Sequence, residues 1–245
     1  MRNLLAPCLA ELIGVFFLTF LGAGAICVNE LLPPEKKFGL LGIALAHGLA
    51  LSIGVSASMN VSGGHLNPAV TITMWLYGRM DTVKMVYYVL FQLLGALLAG
   101  AILALIFGWS EAATQAALGT PHVGLHNLFA VYGWREHMMA IAIEIVLTAL
   151  LVASIFGTAV DPRAPKIGGF GIGLTVMADI LVGGPLTGAA MNPARAFGTA
   201  IWEAAIKQGM GTLADHFVYW VGPIIGGILA GGIYINYILP EEKTP

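Results

Sequence analysis

A chain of 245 residues is long enough for one or two soluble domains, yet 58% of it is hydrophobic and only 10% is charged, against about 25% charged residues in an ordinary globular protein. Eleven Lys plus Arg against thirteen Asp plus Glu leave a formal charge of −2, so no basic surface exists to hold a nucleic-acid backbone. Cys8 and Cys27 offer neither a disulfide framework nor a CxxC pair, whereas a mean hydropathy of +0.86 and 32 glycines point to a polytopic membrane protein with closely approaching helices.

A hydrocarbon core about 30 Å thick is crossed by about 20 apolar residues in a helix. In chain order, spans are expected over Leu9–Asn29, Phe38–Asn60, Met85–Gly108, His137–Val160, Ile167–Pro185 and His216–Leu239. The second and third hold no Asp, Glu, Lys or Arg, while the first, fourth and fifth carry one acid each: Glu11, Glu144 and Asp179. The first apolar run follows Arg2 and ends in small residues at Gly22–Ala25, as a secretory signal would. It is longer than the about 7–15 residues of a signal core and contains Glu11, and is read as a span. Arg2, Arg79, Lys84, Arg163, Lys166 and Lys243 fall on one side, Lys36, Lys37, Arg135 and Lys207 on the other. That excess places both termini in the cytoplasm.

The two halves repeat each other. Ser62-Gly63-Gly64-His65-Leu66-Asn67-Pro68-Ala69 aligns with Thr187-Gly188-Ala189-Ala190-Met191-Asn192-Pro193-Ala194 at an offset of 125 residues. Glu11 matches Glu144, and Gly95 with Gly100 matches Gly222 with Gly227. The repeats cover approximately 1–110 and 135–240 of a single transmembrane domain and are joined by an extracellular loop. Three spans per repeat force the second to insert upside down relative to the first. One Asn-Pro-Ala alone would read as an Asx-type turn; two copies in opposed repeats, each opening an apolar stretch, read as paired half-helices over Pro68–Gly78 and Pro193–Glu203. Proline at the first helical position lacks only an N–H that has no partner there. Eleven residues reach about 16 Å, so two such pieces end to end cover the bilayer core. Irregular backbone at that depth, Ser62–Leu66 and Thr187–Met191, is tolerated only in protein or beside water, and a pore is the economical explanation.

Two half-helix N-termini at mid-membrane each present about half a positive charge, which repels protons and other cations. Asn67 and Asn192 at those tips can cap the helix and donate to the oxygen of a passing water. Arg195 stays charged, and facing lipid it would cost at least about 2.5 kcal/mol, so it is expected to line the pore.

SGGHLNPAVT (Ser62–Thr71) and TGAAMNPARAFG (Thr187–Gly198) resemble the aquaporin, or major intrinsic protein, family, over nearly the whole chain, and most of all its archaeal branch, between water-selective and glycerol-conducting groups. The resemblance implies an all-α membrane fold of six transmembrane helices plus two re-entrant half-helices in an inverted repeat, assembled as a homotetramer with one pore per subunit in the cell membrane. It also implies a constriction of His47, Ile180, Ala189 and Arg195, found by their distances from the motifs. In the water-selective pattern the first position is usually a bulky aromatic and the second a histidine; here the histidine has moved and an aliphatic group takes its place. The aspartate that follows the arginine in the glycerol-conducting pattern is Ala196. A constriction of intermediate width follows, passing water and open to small neutral solutes such as glycerol or dissolved gases. By the same resemblance Glu11 and Glu144 brace the re-entrant loops near Gly63, Gly64 and Gly188, and His65 lines the cytoplasmic vestibule. His47 could instead be a hydrogen-bonded core residue, and Asp179 has no partner that the sequence names.

Glycines and alanines at helical spacing, Gly95/Ala99, Gly169/Gly173, Gly222/Gly226 and Gly227/Gly231, are read as helix-crossing contacts; Gly169–Gly173 follows no strand and is not a phosphate loop. No cofactor or metal is implied, and no nucleophile–base pair or metal-ligand spacing suggests an enzyme. A secondary transporter built on an inverted repeat is the alternative. An ion channel is opposed by two positive tips and Arg195, with no acidic ring in the sequence.

Overall fold

The computed structural model describes residues 4–108, 110, 115–207 and 213–240. Six helices in it are long and apolar enough to cross a membrane: α1 (Leu5–Leu31), α2 (Gly39–Ser62), α4 (Thr82–Phe107), α6 (Trp134–Ile155, prolonged by a π-helical turn over Phe156–Val160), α7 (Phe170–Thr187) and α9 (Val218–Ile233, prolonged by another over Tyr234–Ile238). Between them lie the half-helices α3 (Pro68–Leu76) and α8 (Pro193–Ile206), and the short α5 (Leu125–Phe129) in the central loop. The half-helices have 9 and 14 residues, so they reach about 14 Å and 21 Å. The six expected spans are present, with ends shifted by a few residues. One shift has a local cause: α7 opens at Phe170 rather than Ile167 because Gly168 stands at φ +59°, outside the helical region.

Packing follows the repeat. Within the first half α1 lies against α2 and α4; within the second α6 lies against α7 and α9. The halves meet through α2 on α7, and each half-helix packs on the third spanning helix of the opposite repeat, α3 on α9 and α8 on α4. Glycines mark these crossings. A Cβ on Gly95 would strike the Leu12 carbonyl of α1, and one on Gly226 the Ile145 carbonyl of α6. Gly100 meets Gly198 where α4 crosses α8, and Gly227 meets Thr73 where α9 crosses α3. Gly173 of the glycine string lies against the Gly48 carbonyl, so the string serves the α2–α7 crossing. In a bilayer, where lipid tails are as apolar as leucine, such close backbone approach is what association depends on. The outward faces carry Ile13, Leu41, Ile53, Leu90, Leu98, Leu150 and Leu229, all exposed and suited to lipid.

Gly95→Val should push α4 off α1 and lower the thermal midpoint in detergent by the equivalent of about 1–3 kcal/mol of overpacking. Leu98→Ala, on the outward face of the same helix, should stay within about 0.5 kcal/mol of the parent.

Candidate pore

The half-helices begin at Asn-Pro-Ala, and each asparagine caps its own helix. Asn67 Oδ1 accepts from Ala69 N at 2.9 Å; Asn192 Oδ1 accepts from Ala194 N at 3.0 Å and Arg195 N at 3.2 Å. The amide nitrogens reach across the join, Asn67 Nδ2 donating to Met191 O at 2.8 Å and Asn192 Nδ2 to Leu66 O at 2.7 Å. The two tips are thus locked to each other. An amide has two hydrogens, so each asparagine keeps one beyond this lock, and both residues line the same cavity.

Two buried carboxylates hold the loops that lead into the tips. Glu11 Oε1 accepts from Ser62 Oγ (2.6 Å) and His65 N (3.0 Å), and Oε2 from Leu66 N (2.6 Å) and Gln92 Nε2 (2.7 Å). Glu144 Oε1 accepts from Thr187 Oγ1 (2.7 Å) and Ala190 N (2.9 Å), and Oε2 from Met191 N (2.8 Å). The hydroxyl and the two amides match at the repeat offset. Both carboxylates are fully buried; the donors flank Gly63, Gly64 and Gly188 rather than being those glycines. Leu66 and Met191 sit at φ +50° and +52°, and Ala189 at +43°, a left-handed conformation that costs a non-glycine residue about 1–3 kcal/mol. The cradle offsets that strain by giving the turned backbone its acceptors. Tyr88 Oη and Tyr219 Oη complete it, donating to Ser62 O at 2.7 Å and Thr187 O at 2.9 Å.

His47, Ile180, Ala189 and Arg195 line one cavity together with His65, Asn67 and Asn192. Its volume is about 30 Å³, roughly twice the minimum that admits one water. At one end Arg195 Nη2 lies 3.0 Å from His47 Nε2, and His47 Nδ1 lies 2.9 Å from Ile43 O. Arginine can only donate and a carbonyl can only accept, so this imidazole is neutral, with its hydrogen on Nδ1. Gly22 makes room for it: a Cβ there would come within 2.6 Å of His47 Nε2. Arg195 Nε and Nη1 are buried with no partner among the described residues. Ile180 and Ala189 supply an apolar wall. At the other end the cavity shares Val55, Gly64, His65, Val70, Ile155 and Ile172 with a wider vestibule of about 280 Å³ that also includes Arg79 and Val160. The narrow cavity, which holds Arg195 and the crossed asparagines, therefore adjoins the vestibule beside Arg79.

The central loop lies over the Arg195 end. Gly124 N donates to Leu186 O at 2.9 Å, Pro121 abuts Gly188, and His122 Nε2 lies 2.9 Å from the buried Glu203 carboxylate, which also accepts from Lys207 Nζ at 2.7 Å. Asp179 is buried beside Ile180 but does not line the cavity, and its Oδ2 has no partner among the described residues. Sequence reasoning missed Gln92, Tyr88, Tyr219 and the His122–Glu203 contact. Gln92 did leave a signal, as a lone amide in a span without charge.

Residues 2–234 match the family model described as major intrinsic protein. The chain belongs to that family. It is 40% identical to the probable aquaporin TIP3-2 of Arabidopsis thaliana, over 97% of this chain and 85% of the relative, and 37% identical to aquaporin-8 of Mus musculus, over 97% and 84%. The crystal structure of the aquaglyceroporin from Plasmodium falciparum shares the fold at a TM-score of 0.81 and 24% identity, over 96% of this chain and 97% of that one. These relatives come from plant, mouse and parasite, and give the expected archaeal likeness no support.

In this major intrinsic protein, Glu144→Gln would set an amide against the N–H of Ala190 or Met191 and leave a buried donor unmatched, at about 1–3 kcal/mol. Its thermal midpoint and its water permeability in vesicles should both fall, while Thr187→Ser keeps both. Parental permeability in Glu144→Gln would remove the carboxylate from this account.

Proposed function

We propose that the path between the half-helix tips is a passive channel for water, wide enough at its constriction for small neutral solutes and closed to protons and ions. The carrying observation is the crossed pair Asn67–Met191 and Asn192–Leu66 beside a cavity into which the same asparagines and Arg195 face. Each tip contributes about half a positive charge where the helices meet, which repels hydronium and metal cations. The spare amide hydrogens donate to the oxygen of a passing water, which then cannot accept a proton from its neighbour, and the file loses its relay. Arg195 adds a fixed positive charge and two further donors. The chain carries out no chemistry on what passes and is not an enzyme.

His47, Ile180, Ala189 and Arg195 act as the selecting constriction. Because Arg195 occupies the lone pair of His47 Nε2, side chains there offer donors on one side and hydrocarbon on the other. That wall suits a compact acceptor such as water, and it admits glycerol if the carbon face lies toward Ile180 and Ala189. A secondary transporter would need ion-coordinating groups at mid-membrane, yet Glu11 and Glu144 are engaged by four and three donors.

The whole chain works as one domain of two inverted repeats. We place it in the cell membrane as a homotetramer with a pore in each subunit. Both termini are placed in the cytoplasm, since Arg2, Arg79, Lys84, Arg163, Lys166 and Lys243 outnumber Lys36, Lys37, Arg135 and Lys207 on the opposite side; Arg2 and Lys243 lie outside the described residues. Native mass spectrometry in mild detergent should give four copies.

Stopped-flow light scattering on proteoliposomes, with sucrose and then glycerol as osmolyte, tests the function. Water should pass with no dependence on an ion gradient; saturable, gradient-dependent flux would favour the transporter. Ile180→His combined with His47→Phe should lower glycerol flux about tenfold more than water flux, within the 1–3 kcal/mol that a side chain of this size can discriminate. An unchanged ratio would refute the constriction assignment.

A further inference from the structure

His65 lines the narrow cavity, and its surroundings also decide which of its nitrogens carries the proton. His65 borders both the narrow cavity and the vestibule. Its Nδ1 lies 3.2 Å from Thr71 Oγ1, which already accepts from Gln92 Nε2 at 2.8 Å; the same amide nitrogen donates to Glu11 Oε2 at 2.7 Å. The amide cannot be turned round, because its oxygen would then face the Glu11 carboxylate, acceptor against acceptor. Thr71 is fully buried. With Gln92 donating to it, the hydroxyl proton of Thr71 has His65 Nδ1 as its acceptor among the described residues. A hydrogen on Nδ1 would strand that hydroxyl proton in a buried site. Nδ1 is therefore bare and Nε2 carries the hydrogen. Nε2 lies on the vestibule side, 3.5 Å from where a Cβ on Gly63 would stand.

We propose that Thr71 and Gln92 are positioning residues whose relay, from the Glu11 carboxylate through the Gln92 amide and the Thr71 hydroxyl, holds His65 neutral with an N–H toward the lumen. Permeation past His65 is then insensitive to pH across the range in which a free histidine titrates. This rests on the channel reading above. The groups around His65 are Glu11 of α1, which accepts from its backbone N–H; Thr71 of α3; Lys84, Tyr88 and Gln92 of α4, with the Tyr88 ring edge-on at 5.5 Å and Lys84 over that ring; and Arg79 in the vestibule wall. The relay also explains why Gln92 spends both amide hydrogens and leaves its Oε1 buried with no partner among the described residues.

The test joins a spectrum to a pH profile. Nitrogen-15 NMR of histidine-labelled protein in lipid nanodiscs, with the His65 signals assigned by loss in His65→Gln, should show a bare Nδ1 and a protonated Nε2. Water permeability of parent proteoliposomes should stay level between about pH 5 and pH 8. Thr71→Val keeps the shape and removes the hydroxyl; it should shift hydrogen onto Nδ1 and make permeability fall at least about twofold toward pH 5, as a charged imidazolium enters the lumen. Gln92→Met should move the same way, and Thr71→Ser should restore both parental readings. A merely structural role for Thr71 would lower permeability evenly at every pH and leave the tautomer alone, which would overturn the proposal. So would a protonated Nδ1 in the parent, a result that decides the matter even if Thr71→Val does not fold. Absence of water flux in the parent would count against the channel reading instead, with the tautomer still reporting on the relay.

Discussion

The structure depends on bringing two helix N-termini together in the middle of a membrane without leaving their backbone groups bare. Each tip has N–H groups with no helical partner, and each is approached by a non-helical loop at a depth where lipid offers no hydrogen bonds. The asparagine at each tip answers its own helix with Oδ1 and the opposite loop with Nδ2. The loop N–H groups just before it go to Glu11 and Glu144. A buried carboxylate is expensive unless it is well supplied with donors, and here the loops are its donors. Removing either party would leave the other exposed to the same penalty, so loops and carboxylates specify each other.

That join also explains the exchanged packing. Because α3 lies more extensively on α9 than on α4 of its own repeat, and α8 more on α4 than on α9, each half-helix takes most of its seat from the opposite repeat, and the tips meet when both halves are in place. The glycines at Gly100 and Gly227, one on each receiving helix, let the half-helices come near enough for this. A single methyl group at either would press on the neighbouring backbone or hydroxyl and displace a tip whose position is set by hydrogen bonds under 3 Å.

What could be read from the sequence was whatever repeats or runs long. The six spans follow from apolar length, and the half-helices from a motif that occurs twice in opposed settings. The ends of the spans were less legible: a residue such as Gly168 can continue a helix or break it, and only its φ decides. The cradle was partly legible, since Glu11 and Glu144 are conspicuous in apolar spans, but their donors were not. Gln92 reaches Glu11 across 81 residues of chain, and nothing local ties it there. Tautomers are still less visible, since the protonation of His47 depends on a carbonyl one turn away and a guanidinium from the other repeat.

The two pore histidines are held neutral in opposite senses, and this bears on what the proposed channel excludes. His47 gives its lone pair to Arg195, the asparagines give their oxygens to helix caps, and a guanidinium carries only donors, so these side chains present hydrogens rather than lone pairs to the narrow cavity. In the proposed channel such side chains turn a passing water oxygen-first, and the positive tips oppose cations by charge. Anions are not repelled by this field. In the proposed channel hydration opposes them instead: beside the apolar wall of Ile180 and Ala189 a few donors do not replace an ion's water shell in a low-dielectric surround. In the proposed channel water passes because it arrives with nothing to lose but hydrogen bonds that the asparagines and the guanidinium return.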